Sequence, residues 1–373
     1  VAVTQATDTT WISNADVFMI ENVGIVRQRL ARLMPDLRGL PRPFWVLFAG
    51  TLVNRVGGFV LVFLAIYLTD ARGLTPVQAG AILTAYGLGA IVGGPIAGAL
   101  SDRIGRRPTL VASLMAGGAS MLVLGLVTGH VTMIIGGLIS ARSYRALFAA
   151  DAVTTALFGL IVWVALPETR PTASVDSGTS GSRARSILHD HAFLAVCLLT
   201  VAFCLVFFQS FAALPIDVRA HGISSSGFGV LMALNGVLVV LLQPLAGELI
   251  RDHARSSVLA VASLLLGIGF GMNAWIGSWP AYAASVVVWT LGEILFSPAS
   301  TALVADLAPA NLRGRYQGAF AMAFTSGFAL APIAGGYVLG HAGARWLWMA
   351  CLAIGLAVGL GFLMLRRALR RVR

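Results

Sequence analysis

The chain has 373 residues, 58% hydrophobic and 11% charged, with a mean hydropathy of +0.86. A soluble domain carries about 25% charged residues, so this composition excludes an ordinary soluble protein. The net charge of +11 and the pI of about 10.9 invite a nucleic-acid reading. All the basic residues are arginines, however, and they fall between long apolar runs, where they set orientation in a bilayer and do not form a basic face for nucleic acid.

In chain order, residues 1–43 form a tail. Residues 1–18 are polar and featureless and read as an extension upstream of Met19; no signal-peptide pattern is present. Residues 20–38 (IENVGIVRQRLARLMPDLR) read as a short basic amphipathic helix on the membrane surface. Apolar runs of about 20 residues, each long enough to cross roughly 30 Å of hydrocarbon as a helix, then predict spans near 44–69, 76–100, 108–128, 144–166, 192–214, 227–250, 257–277, 281–304, 316–340 and 345–366. An apolar stub at 131–140 rises only about 15 Å and is too short to cross. Alternating segments of about ten residues, the mark of a β-barrel, do not occur.

Residues 167–191 (PETRPTASVDSGTSGSRARSILHDH) are Ser/Gly/Thr-rich and read as a flexible linker. They separate a first transmembrane half, 44–166, from a second, 192–366, which is followed by a basic tail, 367–373. With the N-terminus placed in the cytoplasm, twenty arginines lie in inner segments and five in outer ones. That bias predicts cytoplasmic N- and C-termini in a bacterial plasma membrane.

The two halves repeat. GAILTAYGLGAIVGGPIAG (80–98) aligns with GVLMALNGVLVVLLQPLAG (229–247) at an offset of 149, and GGLISARSYRALF (136–148) aligns with GGYVLGHAGARWLW (335–348) at about 200. The jump of about 50 residues falls between His130 and Gly136. It predicts that the fourth and fifth helices of a twelve-helix plan are missing, leaving an all-α bundle of about ten transmembrane helices in two pseudo-symmetric halves. Direct duplication about a cytoplasmic linker suits a two-half transporter.

GALSDRIGRRP (98–108), between the second and third spans, resembles the loop motif G-x-x-x-D-R-x-G-R-R/K of the major facilitator superfamily. LPETRP (166–171) and GEILFSPASTALVADLAPANLRGRYQG (292–318) are similar to drug:proton antiporters of that family. SGFALAPIAGG (326–336) is similar to the antiporter signature, but that signature belongs in the fifth helix, which survives here only as Gly136–Gly137. The glycines Gly98 and Gly105 allow close approach and chain reversal. Asp102 can face a helix N-terminus or an arginine, and Arg103, Arg106 and Arg107 hold the loop inside. The resemblance implies a conformational latch in which Asp102 meets the segment Arg313–Gly318; the alternative is topology charges alone.

Ionisable groups at membrane depth are costly unless they face a cavity or a partner. Arg55, beside Asn54, lies roughly 16 Å into the first span, and Glu293 lies roughly 18 Å into the span at 281–304. Glu293 is therefore a candidate for proton coupling or substrate binding, or else a structural partner for Arg55 or another helix. Asn54 and Arg55 are candidates for the same proton-coupling or substrate site, as residues lining the cavity. Tyr86, Gln209, Asn235 and Trp289 are further cavity candidates, with interhelical hydrogen bonding or packing as the alternative; Gln243 and Phe208 are weaker ones. Asp151 and Asp217 read as anchors near the outer surface. No nucleophile–base constellation, P-loop or metal spacing is legible, and Cys197, Cys204 and Cys351 sit in apolar runs as packing residues. The chain is expected to be no enzyme and to use no cofactor and no metal; its partners are the lipid bilayer, a small-molecule substrate and protons. Two functions remain open at this point. One is a secondary active transporter, exporting amphipathic or cationic compounds against protons or importing its substrate. The other is an internally deleted, non-transporting membrane protein or partner-binding remnant.

Overall fold

The computed structural model describes residues 45, 60–127, 144–165, 189–251, 253–309 and 312–372, and all regular structure among them is helical. The first half contains α1 (Val60–Ile66, running into a π turn, Tyr67–Ala71), α2 (Pro76–Ile104), α3 (Arg106–Val127) and α4 (Tyr144–Ala165). The second contains α5 (His191–Phe207, closed by a 3-10 turn, Phe208–Ser210), α6 (Ala213–Ala220), α7 (Ser225–Arg251), α8 (Arg255–Met272), α9 (Trp279–Leu307), α10 (Arg313–His341) and α11 (Ala344–Val372). Seven stretches among the described residues are long and apolar enough to cross a membrane. They lie in α2, in α5 with α6, and in each of α7 to α11. Helices α3 and α4 have 22 residues each.

Local chemistry sets the helix starts. Pro76 opens α2 at a position that needs no N–H donor. Before it, Thr75 and Gln78 form a reciprocal capping box: the Gln78 N–H donates to Thr75 Oγ1 (3.3 Å) and the Thr75 N–H to Gln78 Oε1 (3.0 Å). Asp190 caps α5 by accepting from the Phe193 N–H at 2.9 Å. The second half therefore begins one residue before the expected boundary. The helical end of the chain differs more. Residues 367–372, expected to be a tail, continue α11, because Leu, Arg and Ala are strong helix formers and no Gly or Pro interrupts them.

The repeat is visible in the helix starts. Helices α2 and α7 begin at Pro76 and Ser225, and α3 and α8 at Arg106 and Arg255, each pair 149 residues apart; α4 and α11 begin at Tyr144 and Ala344, 200 apart. Pairing follows the same plan. Helix α3 packs on α4, with Gly118 facing the Ala152 carbonyl, and α8 packs on α11, with Gly267 against Gly355. Gly105, between α2 and α3, takes φ +102°, a left-handed value that lets the chain reverse in one residue.

Helices α2 and α10 join the halves. A Cβ on Gly80 would overlap the Pro332 carbonyl, so glycine is what allows the two backbones to touch there. Thr84 Oγ1 accepts from the Ile333 N–H at 3.1 Å, beside Pro332, which lies within α10 and lacks an N–H donor. An apolar cluster of Leu64, Leu68, Ala79, Leu83 and Ala212 continues the junction to the end of the bundle that carries Asp70. Toward the arginine-rich end, Leu88, Val92, Ile96 and Ile104 of α2 are exposed.

Candidate functional site

Glu293 is the middle residue of α9, fourteen positions from either end, about 21 Å along the axis. Pro298 follows in the same helix. Its missing N–H leaves the Ile294 carbonyl without a helical partner, and Gln243 Nε2 from α7 donates to that carbonyl at 3.5 Å. About two turns nearer the start of α7, Asn235 Nδ2 donates to Glu293 Oε2 at 2.8 Å and to Thr290 Oγ1 at 3.0 Å. The centre of the α7–α9 seam is thus a half-buried polar group of a carboxylate, an amide and a hydroxyl among apolar residues. It brings together two of the residues expected from sequence, Asn235 and Glu293, and adds Thr290, whose position one turn before Glu293 is the only sequence signal for it.

The other cavity candidates divide. Tyr86 is 42% exposed on α2 and meets the Phe328 ring edge-on at 6.0 Å. Trp289 is 1% exposed, stacked on Phe270 at 5.4 Å and edge-on to Phe207 at 6.3 Å. Gln209 is 3% exposed; its Nε2 donates to the Leu205 and Ala331 carbonyls at 3.0 and 2.9 Å and so ties α5 to α10. Both are packed between helices, and an all-apolar helix gives no amphipathic stripe from which to read that burial. Asn54 and Arg55 lie outside the described residues, as do the side chains of Asp102, Arg103, Arg106 and Asp151. Gly98 lies in the last turns of α2. Arg107, expected to join the latch, instead donates to the Trp163 carbonyl and lies over the Trp163 ring at 5.0 Å. It binds α3 to α4 within one half.

A second polar cluster sits at the Asp70 end. Asp217 on α6 is buried and accepts from Tyr282 Oη of α9 at 2.7 Å and from Trp348 Nε1 of α11 at 3.0 Å. His221 Nδ1 lies 2.9 Å from the Asp217 carbonyl oxygen, which can only accept, so this nitrogen carries the proton. Asp217 therefore anchors a helix, from a buried position. Two residues on, Arg219 Nε pairs with Asp70 Oδ2 at 2.8 Å across the halves. An open depression of about 560 Å³ surrounds that pair, lined by Thr69, Leu74, Pro76, Ile216 and Ala220 as well. Among the described residues no group of His, Cys, Asp and Glu is arranged to hold a metal ion.

Apolar helices in two related halves, with a hydrogen-bonded carboxylate at the centre of one of them, define a membrane transporter of the two-half kind. The chain belongs to the Major Facilitator Superfamily, whose sequence profile matches residues 47–135 and 196–373. It is similar to YttB of Bacillus subtilis (strain 168), an uncharacterised transporter of that type: 27% identical over 328 residues, covering 83% of this chain and 79% of YttB. It is also 26% identical over 174 residues to the multidrug resistance protein MdtH of Aeromonas hydrophila subsp. hydrophila, covering 45% of this chain and 44% of MdtH. Among solved structures, a POT family transporter in complex with a thioalcohol-conjugated peptide superimposes with a TM-score of 0.71 at 13% identity, over 90% of this chain and 99% of that one. The chain is thus an integral membrane transporter of this superfamily and not an enzyme.

Proposed function

We propose that the protein is a secondary active transporter that exports amphipathic or cationic small molecules in exchange for protons, by alternating access. The observation that carries this reading is the contact of Asn235 with Glu293 and Thr290 in the middle of the α7–α9 seam. A carboxylate at membrane depth that accepts from the neutral amide of Asn235 has the chemistry to bind either a proton or an organic cation, and competition between the two is the simplest coupling of export to a proton gradient. The arginine bias supports a cytoplasmic location for the Arg107 end and both termini. Asp102 and Arg313–Gly318 form the latch at that end. The similarity to MdtH favours export over uptake.

The test is efflux of a fluorescent organic cation from energised cells or proteoliposomes, with and without a protonophore. Glu293→Gln is expected to abolish the pH dependence, and Asn235→Leu to weaken it. If Glu293→Gln transported with the parent's pH profile, the coupling role would be wrong; if the protonophore raised accumulation in neither protein, so would the direction and the energy source.

One observation favours a second reading, an internally deleted remnant. Between α3 and α4 lie only residues 128–143, about 24 Å of helix at most, where the second half has the whole of α9 and α10. The profile match also skips 136–195. Purified chain that is folded but gives no substrate-stimulated flux, compared with a version carrying a helix pair at this position, would establish that reading.

A further inference from the structure

Asp70 and Arg219 are 149 residues apart, the offset that relates α2 to α7. They occupy equivalent positions in the two repeats, each near the end of its half's first span. Equivalent positions in a two-fold arrangement meet one another only where they lie at its axis, and this pair is in contact. Identical charges there would repel; this chain carries opposite ones, in contact at 2.8 Å. The pair closes over the apolar cluster of Leu64, Leu68, Ala79, Leu83 and Ala212.

Arg219 does not stand on a loose loop. Its Nη1 also donates to the Ile223 carbonyl at 3.0 Å. The short helix α6 that carries it is pinned from its other side by Asp217, through Tyr282 of α9 and Trp348 of α11. The two carboxylate contacts differ in setting. Asp217 is 2% exposed, and removing a partner from a buried charge is costly. Arg219 and Asp70 are 34% and 37% exposed at the side chain, where an ion pair is screened and easily parted. One contact is built to last and the other to break.

We propose that α6 is a clasp: the Arg219–Asp70 pair is the bond between halves that must part when this end of the protein opens, and Asp217 is the positioning residue that holds α6, and so Arg219, in place. This deepens the alternating-access part of the proposed function. It makes no use of Glu293, of protons or of any substrate.

The experiment reads distance, not transport. Spin labels are placed on Arg72→Cys and Ala220→Cys of the full chain in nanodiscs, with Cys197 replaced by Ser, and the distance distribution is recorded without substrate. Asp70→Asn and Arg219→Gln are each expected to raise the long-distance population about two- to five-fold, the range an exposed ion pair supports. Arg219→Lys is expected to stay near the parent, and the swap Asp70→Arg with Arg219→Asp to recover at least half of the loss. Asp217→Asn is expected to broaden the distribution while the protein still melts cooperatively. Unchanged distributions in both neutral variants, or a swap no closer to the parent than either single change, would overturn the clasp. A folded Asp217→Asn with the parent's distribution would overturn the positioning role. A chain that moves no substrate, the failure of the transport reading, leaves all of these outcomes open to measurement.

Discussion

Replacing Asp217 by Ala removes the acceptor for two buried donors at once, Tyr282 Oη at 2.7 Å and Trp348 Nε1 at 3.0 Å. Both donors lie in the core, where Tyr282 and Trp348 are fully buried, and the methyl group of Ala offers them no acceptor in place of the carboxylate. A buried donor left unpaired costs about 1–3 kcal/mol, so two cost about 2–6 kcal/mol, with the upper part offset by relaxation or an admitted water. Tyr282→Phe removes one donor and leaves the carboxylate with Trp348, a loss of about 1–2 kcal/mol. Once Asp217 is gone, the Tyr282 hydroxyl is a liability, so Tyr282→Phe in the Asp217→Ala background should be neutral or mildly stabilising. The double-mutant cycle is therefore expected to show a coupling of about 1–3 kcal/mol. Thermal unfolding of purified protein in one detergent reads it, at on the order of 2 °C per kcal/mol for a chain of this size. Additive shifts, or an Asp217→Ala protein that melts with the parent, would refute the view that this carboxylate pins α6 to α9 and α11.

Gly80→Val should cost about 1–3 kcal/mol by overpacking the α2–α10 junction, seen as a lowered melting temperature. Gly93→Ala, with open space where its Cβ would go, should stay within about 0.5 kcal/mol. Trp289→Ala should destabilise by about 3–5 kcal/mol, while Trp289→Phe keeps the substrate profile in a growth-inhibition panel; a changed profile at unchanged stability would return Trp289 to the cavity wall.

How much was legible depended on the range of the interaction. Pro76 with its Thr75–Gln78 box, and the turn at Gly105, are local features, and the helices at those positions start and stop within a few residues of the expected bounds. Glu293 was legible because a single carboxylate in an apolar run is conspicuous wherever the helix turns. The contacts of Gln209 and Trp289 were not legible because every face of their helices is apolar, so the pattern carried no direction. The contact of Arg107 was not legible because its partner, Trp163, lies 56 residues away on a helix whose contact with α3 no local pattern announces.

Sequence by itself determined that this chain lives in a bilayer, that it is a duplicated set of helices, and where most of those helices begin, since hydrocarbon thickness and helix rise fix span length and the offset of 149 repeats in the residues themselves. Only tertiary structure decided which polar groups meet: Asn235 with Glu293, Tyr282 and Trp348 with Asp217, Arg219 with Asp70. Those pairs are 58 to 149 residues apart in the chain, and their contact follows from how the helices pack, which a run of nearly uniform hydrophobicity does not encode in any one segment.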